Sequence, residues 1–176
     1  MSSYELLDSE VRWEGAFLSA GVERFRFDDG DEVSREKVWH VGAVGIVALD
    51  DDTVWLTRQP REVVGATASL EIPAGKLDVP GESPLQTAQR ELGEEIGKQA
   101  GSWREIRSFY TSPGFSDERV WLFLATDLSD GAGGEADEDE RIEVVPWPLA
   151  RLDEAIAQSD DAKTLIALLW LKTRQS

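Results

Sequence analysis

Cysteine is absent from the 176 residues and histidine occurs once, as His40. These absences exclude disulfides, thiol nucleophiles and Cys/His zinc centres, and leave a Ser-His-Asp triad a single imidazole to draw on. Any general base is therefore expected to be a carboxylate, and His40, beside Trp39 in a strand-like run, reads as structural. Positive charge is scarce: 18 Lys and Arg against 35 Asp and Glu give a formal net charge of −17. Without a basic stripe, nucleic-acid phosphates and anionic membrane surfaces are repelled, so neither is an expected partner. No apolar run approaches the roughly 18 residues of a membrane span. The opening stretch M-S-S-Y-E-L-L-D-S-E has neither a basic region nor an apolar core, so a cytoplasmic location is expected. An anionic diphosphate would be repelled too, unless metal ions bridged it to the carboxylates.

With 41% hydrophobic and 30% charged residues, the chain has the composition of an ordinary globular protein and the length of one domain with a small appendage. Its chemistry concentrates in Glu71 to Lys98, E-I-P-A-G-K-L-D-V-P-G-E-S-P-L-Q-T-A-Q-R-E-L-G-E-E-I-G-K. A helix over 84–96 would place Leu85, Ala88, Leu92 and Ile96 on one buried stripe, with Glu91 and Glu95 sharing a different face. Like charges four apart on a helix repel by a few tenths of a kcal/mol. A cation is therefore expected there, although a solvated acidic face is the simpler alternative. Hard divalent ions suit such a place, because they take oxygen ligands from one or two carboxylates and from substrate phosphates. The turn Pro73-Ala74-Gly75 could add a backbone carbonyl.

This constellation resembles the Nudix box, G-x5-E-x7-R-E-U-x-E-E-x-G-U with U aliphatic, through Gly75, Glu82, Arg90, Glu91, Leu92, Glu94, Glu95 and Gly97. There are two departures. Six residues rather than five separate Gly75 from Glu82, and Lys98 stands at the last aliphatic position. The extra residue falls at the turn dipeptide Pro80-Gly81, which can absorb it ahead of the helix.

Along the rest of the chain, residues 11–28 alternate around the break Ala20-Gly21 and read as a hairpin, and 33–41 as a third strand. Three such strands bury little by themselves and are expected to pack on the main body or on a second subunit. The apolar run 42–49 reads as a strand buried on both faces. The next strand, 53–59, ends at Arg58-Gln59-Pro60-Arg61, where two guanidinium groups emerge together and could fork onto phosphate oxygens. Further strands are expected at 69–72, 103–110, 119–126 and 142–146, a Gly-rich acidic loop at 131–139, and helices near 148–158, with Pro148 in its first turn, and 160–172. Strands around a central helix with terminal helices define an α/β/α sandwich with a mixed sheet. The expected division is residues 1–41, a small antiparallel β region, and 42–176, the hydrolase domain.

Beyond the box, the chain is similar to the ADP-ribose pyrophosphatase branch of the Nudix hydrolases. R-Q-P-R resembles that branch's R-Q-Y-R, and S-P-G-F-S-D-E its substrate loop; Pro113 holds the branch's proline position fifteen residues past the box, and T-L-I-A-L-L-W-L resembles its last helix. The resemblance implies Mg²⁺-dependent hydrolysis of ADP-ribose to AMP and ribose 5-phosphate, with Mn²⁺ as a substitute ion. It also implies a homodimer whose N-terminal strands, residues 1–41, help build the partner's site. Glu91, Glu95 and the Ala74 carbonyl would hold metal, with Glu94 joining directly or through water, and Glu82 and Arg90 would orient these carboxylates. Matching E-D-E-R-I-E-V to the branch's late acidic loop puts the base at Glu138, with Glu140 next and Glu94 as the fallback within the box. Arg58, Arg61, Pro113, Gly114 and Glu118 become candidate substrate contacts, and Trp13 and Trp39 candidate stacking partners for adenine. Two alternatives stand beside this reading: hydrolysis of another nucleoside diphosphate sugar or an oxidised nucleotide, and a module that binds ADP-ribose without cutting it.

Overall fold

The structure, a computed structural model, describes residues 3–131 and 141–174, which fall into two compact units. The first comprises the chain up to Gly42 together with Tyr110–Arg119. Its three strands, β1 (Tyr4–Glu14), β2 (Leu18–Phe27) and β3 (Glu32–His40), form an antiparallel sheet in that order. The first turn lies at residues 15–17, closed by the Gly15 N–H on the Leu18 carbonyl at 2.9 Å. It does not lie at Ala20-Gly21, as the sequence suggests. Gly21 sits inside β2 opposite Val11, beside a register shift in β1. A Cβ there would lie 2.0 Å from the Glu10 carbonyl oxygen, so this glycine permits close strand approach at a bulge. Strand β1 starts seven residues before the expected hairpin because nearly all its side chains are exposed and leave no alternating apolar signal.

Within the same unit, the segment 110–119 is bonded to β3. Val38 N–H donates to the Phe115 carbonyl at 2.8 Å, Asp117 N–H to the Val38 carbonyl at 3.2 Å, and His40 N–H to Asp117 Oδ1 at 2.9 Å.

The second unit, Ala43–Phe109 with Val120–Ser176, holds a seven-stranded mixed sheet. Its strands are β4 (Ala43–Asp50), β5 (Thr53–Arg61), β6 (Ala66–Glu71), β7 (Ala74–Lys76), β8 (Lys98–Tyr110), β9 (Arg119–Asp130) and β10 (Glu143–Pro148). The main path runs β10-β5-β4-β9-β8, with β6 paired to β5 and β7 to β4; β4 and β9 run parallel. Strand β4 explains the two-layer core. Val44, Ile46 and Ala48 pack with Ala88, Leu92 and Ile96 of helix α1 (Pro84–Ile96). Val47 faces the other way, into a cluster with Leu152 and Ala155 of α2 (Leu152–Gln158) and Ala167, Leu168 and Leu171 of α3 (Ala162–Lys172). A run apolar on every residue is what a strand covered by helices on both sides requires. Each buried Val, Leu or Ile among these contributes on the order of 1.5–3 kcal/mol relative to exposure, and each Ala less.

Pro148 ends β10 rather than opening a helix, and a short 3₁₀ turn precedes α2. β10 is a sheet edge, where the missing N–H of Pro146 and Pro148 is tolerated. Strand β8 begins at Lys98, five residues before its expected start.

Candidate active site

Helix α1 is bounded by strong local signals. Ser83 caps it in a reciprocal box with Gln86, Pro84 follows in the first turn, and Gly97 closes it at φ 66°. Ahead of it, Glu82 N–H bonds the Val79 carbonyl at 3.2 Å and Gly81 takes φ 87°, so the residue extra to the box is absorbed in a turn. Three of the four expected stripe residues are buried. Leu85 is instead 37% exposed, bordering a shallow groove with Trp103, Trp121 and Phe123.

The polar face of α1 gathers the box. Glu91 lies against the backbone of Gly75: a Cβ there would come within 2.0 Å of Glu91 Oε1, so this position must stay bare for the carboxylate. Glu95 is 6% exposed and accepts the Ala74 N–H at 2.9 Å. Arg90 ties the rest together. Its Nη1 donates to Glu94 Oε2 at 2.6 Å and lies 2.9 Å from Glu91 Oε1, while its Nε reaches both Glu82 oxygens at 3.3 Å. Thr87 Oγ1 donates to Glu82 at 3.0 Å. Burial opposes the charge on Arg90, but the attraction of Glu91, Glu94 and Glu82 outweighs it and raises its pKa. The guanidinium thus offsets part of the repulsion expected between the carboxylates, and it fixes their geometry.

This donor set fits a hard divalent cation. It is all oxygen, it sits on one rigid helix facing a backbone turn, and it is strongly acidic. Among the described residues no group of three His, Asp or Glu side chains is placed to hold a metal ion by itself. An ion of the Mg²⁺ type bound here would take waters and substrate phosphate oxygens for the rest of its shell.

A second polar cluster borders this turn. Glu71, the last residue of β6, is 2% exposed. It accepts Arg61 Nε and Nη2 on its two oxygens, each at 2.8 Å, and Lys163 Nζ at 2.7 Å. Lys163 also reaches Asp161 Oδ1 at 2.9 Å, and Asp161 caps α3 by accepting the Thr164 N–H. Thr164 Oγ1 in turn accepts the Ile72 N–H at 2.9 Å. The sequence suggests that Arg58 and Arg61 emerge together. They part instead, since Arg58 Nη2 reaches Gln158 at the end of α2 at 3.3 Å while Glu71 captures Arg61. Glu71 and Lys163 are absent from the sequence-derived site: Glu71 reads there as one more strand residue, and Lys163 lies 92 positions away with no local signal.

Burial pushes the Glu71 pKa up, but bonding to Arg61 and the charge of Lys163 outweigh it and bring it down to about 2 from 4.5. Its ionised form is therefore favoured by folding, and that stabilisation is present above about pH 4.5 and lost as pH falls from there toward 2. With Arg61 half exposed, the pairing is worth on the order of 2–3 kcal/mol. Glu71→Gln should lower Tm at pH 7 by roughly 4–10 °C, with the difference from wild type shrinking toward pH 3. Parallel Tm curves for the two proteins between pH 7 and 3 would contradict the assignment.

In the first unit, Glu118 accepts Thr111 Oγ1 at 2.6 Å and lies 3.9 Å from His40 Nδ1. His40 Nδ1 accepts the Gly42 N–H at 3.0 Å, and its ring meets Phe17 edge-on. These contacts hold the imidazole in place within the first unit. Pro113 and Gly114 line a cavity of about 540 Å³ with Tyr4, Phe25, Lys37 and Asp117. Trp13 is 56% exposed and its ring lies over Gly15; Trp39 is partly buried, with Lys37 Nζ 5.2 Å from its ring centre. Glu138 and Glu140 lie outside the described residues.

The fold and the box helix define a class, and comparison with known proteins agrees with it. The NUDIX domain profile matches residues 39–168, and the chain belongs to the Nudix family. It is 39% identical over 171 residues to the ADP-ribose pyrophosphatase of Bacillus subtilis (strain 168), covering 95% of this chain and 91% of that one. It is also 39% identical over 159 residues to the ADP-ribose pyrophosphatase of Mycobacterium tuberculosis (strain ATCC 25618 / H37Rv), covering 89% and 76% respectively. Among solved structures, the crystal structure of an ADP compounds hydrolase superimposes with a TM-score of 0.82 at 26% identity, over 97% of this chain and 95% of that one.

Proposed function

We propose that this protein is a divalent-metal-dependent Nudix pyrophosphohydrolase that cleaves ADP-ribose to AMP and ribose 5-phosphate. The observation that carries this reading is the complete set of box carboxylates, clustered around Arg90 and the Ala74-Gly75 turn, in a chain similar over nearly its whole length to ADP-ribose pyrophosphatases. Glu91, Glu95 and the Ala74 carbonyl would hold Mg²⁺ or Mn²⁺, with Glu94 as a further ligand, and Arg90 and Glu82 would orient them. When bound there, the ion would supply positive charge to the non-bridging phosphate oxygens and lower the pKa of water. Glu138 takes the proton of the attacking water as the new P–O bond forms and the bridging P–O bond breaks; Glu140 is the alternative base. Arg61 is a proposed contact to phosphate, which Arg58 would join by leaving Gln158, and Pro113, Gly114 and Glu118 are proposed contacts to the rest of the substrate. A panel of ADP-ribose, other nucleotide sugars, dinucleotides and triphosphates with Mg²⁺ tests the reading. ADP-ribose should give the highest kcat/KM, and a higher value for another compound would reassign the substrate.

We further propose a homodimer working in the cytoplasm. Among the described residues no helix is long and apolar enough to cross a membrane. Strand β1 exposes the apolar side chains of Tyr4, Leu6, Val11 and Trp13, which a second copy could cover. Light scattering should give twice the 19.5 kDa of the chain, and a monomer at micromolar concentration would exclude the dimer. Trp13 or Trp39 is proposed to stack on adenine, so single-Trp variants retaining one of them should lose fluorescence on adding ADP-ribose without metal. Unchanged emission from both would remove both.

A further inference from the structure

We infer that Glu71 is a positioning residue for diphosphate binding, holding Arg61 so that the free end of its guanidinium faces substrate, an inference that rests on the hydrolase reading above. A guanidinium has two edges that can each offer a pair of N–H donors. Glu71 takes the Nε–Nη2 edge with both carboxylate oxygens, which leaves the Nη1 end pointing away from the bond, and the Arg61 side chain is 43% exposed while Glu71 is 2% exposed. An arginine serving only to neutralise a buried acid would be redundant here, because Lys163 Nζ already meets Glu71 Oε2 at 2.7 Å. The two cations divide the work: Lys163, tied to Asp161 at the cap of α3, satisfies the buried charge, and Arg61 is oriented outward.

The cluster is also built into the metal-binding turn. Glu71 is followed by Ile72, whose N–H is held by Thr164 of α3, and three residues after Glu71, Ala74 donates to Glu95. One short segment therefore sets both Arg61 and the box carboxylate Glu95, and the start of α3 fixes that segment. Rigid backing of this kind is what precise placement of a phosphate-binding group requires.

The test is a cycle of Arg61→Lys, Glu71→Gln and the double variant, reading Tm, kcat and KM for ADP-ribose, together with thermal protection by inorganic pyrophosphate and Mg²⁺. Arg61→Lys keeps a cation for Glu71 but lacks the second edge, so its KM should rise at least about tenfold while its unliganded Tm stays near wild type. Glu71→Gln should raise KM at least about fivefold, more than it lowers kcat, and in the double variant KM should match Arg61→Lys within about twofold. KM within about twofold of wild type for Arg61→Lys, a Tm loss without a KM change for Glu71→Gln, or multiplying effects in the double variant would each overturn the inference. If Glu71→Gln does not fold, Glu71→Asp, which keeps the charge but draws the carboxylate back from Arg61, takes its place with the same expected rise in KM, and an unchanged KM would overturn the inference. If wild type does not turn over ADP-ribose, the hydrolase reading falls, and the same ranking is sought in pyrophosphate affinity. Equal protection of wild type and Arg61→Lys there, or none of wild type, would again overturn it.

Discussion

If Glu91 and Glu95 hold the metal as proposed, Glu91→Gln and Glu95→Gln should each lower kcat by roughly three orders of magnitude at saturating Mg²⁺, because each would remove an anionic ligand from the ion that supports the transition state. The two are expected to differ in stability. Glu95 is 6% exposed and bonds the Ala74 N–H, a contact that a neutral amide oxygen can still make, so Glu95→Gln keeps the turn in place. Glu91 pairs with Arg90, which retains Glu94 and Glu82, so Glu91→Gln also stays folded. Removing a carboxylate relieves like-charge repulsion on the helix face, so Tm without metal should hold or rise by a few degrees, while the gain in Tm on adding Mg²⁺ shrinks. Activity within about threefold of wild type for both variants would remove these residues from the metal site.

The second large effect is expected at Glu138. If its carboxylate takes the water proton, Glu138→Gln should lower kcat by roughly two to four orders of magnitude with little change in KM, since the lost interaction belongs to the transition state. Glu140→Gln should be mild. The reverse ranking would move the role to Glu140, and two near-normal enzymes would return the base to the box, most directly to Glu94, which is 33% exposed at the outer end of the Arg90 chain.

What the sequence made legible follows from where its signals are local. Helix α1 was readable at both ends because cap, first-turn proline and closing glycine all sit within the segment they bound. Strand β4 was readable because burial on both faces demands an unbroken apolar run. Strand β1 was not, because an exposed strand carries no apolar alternation to detect, and the start of β8 was not, because its partly buried positions hold Lys98 and Ala100 rather than large apolar residues. Gly21 misled because a glycine at a bulge and a glycine in a turn look alike until the opposing strand is known. The same limit hid the Glu71 cluster. Glu71 is one more acid in an acidic chain until Arg61, ten residues before it, and Lys163, 92 after it, are brought onto its two oxygens.

Metal-dependent cleavage of a diphosphate by the box helix is checked by incubating the protein with ADP-ribose, with Mg²⁺ and with chelator, and identifying the products. The expected result is AMP and ribose 5-phosphate in equal amounts with Mg²⁺ and neither with chelator; bound but intact ADP-ribose under both conditions would contradict it.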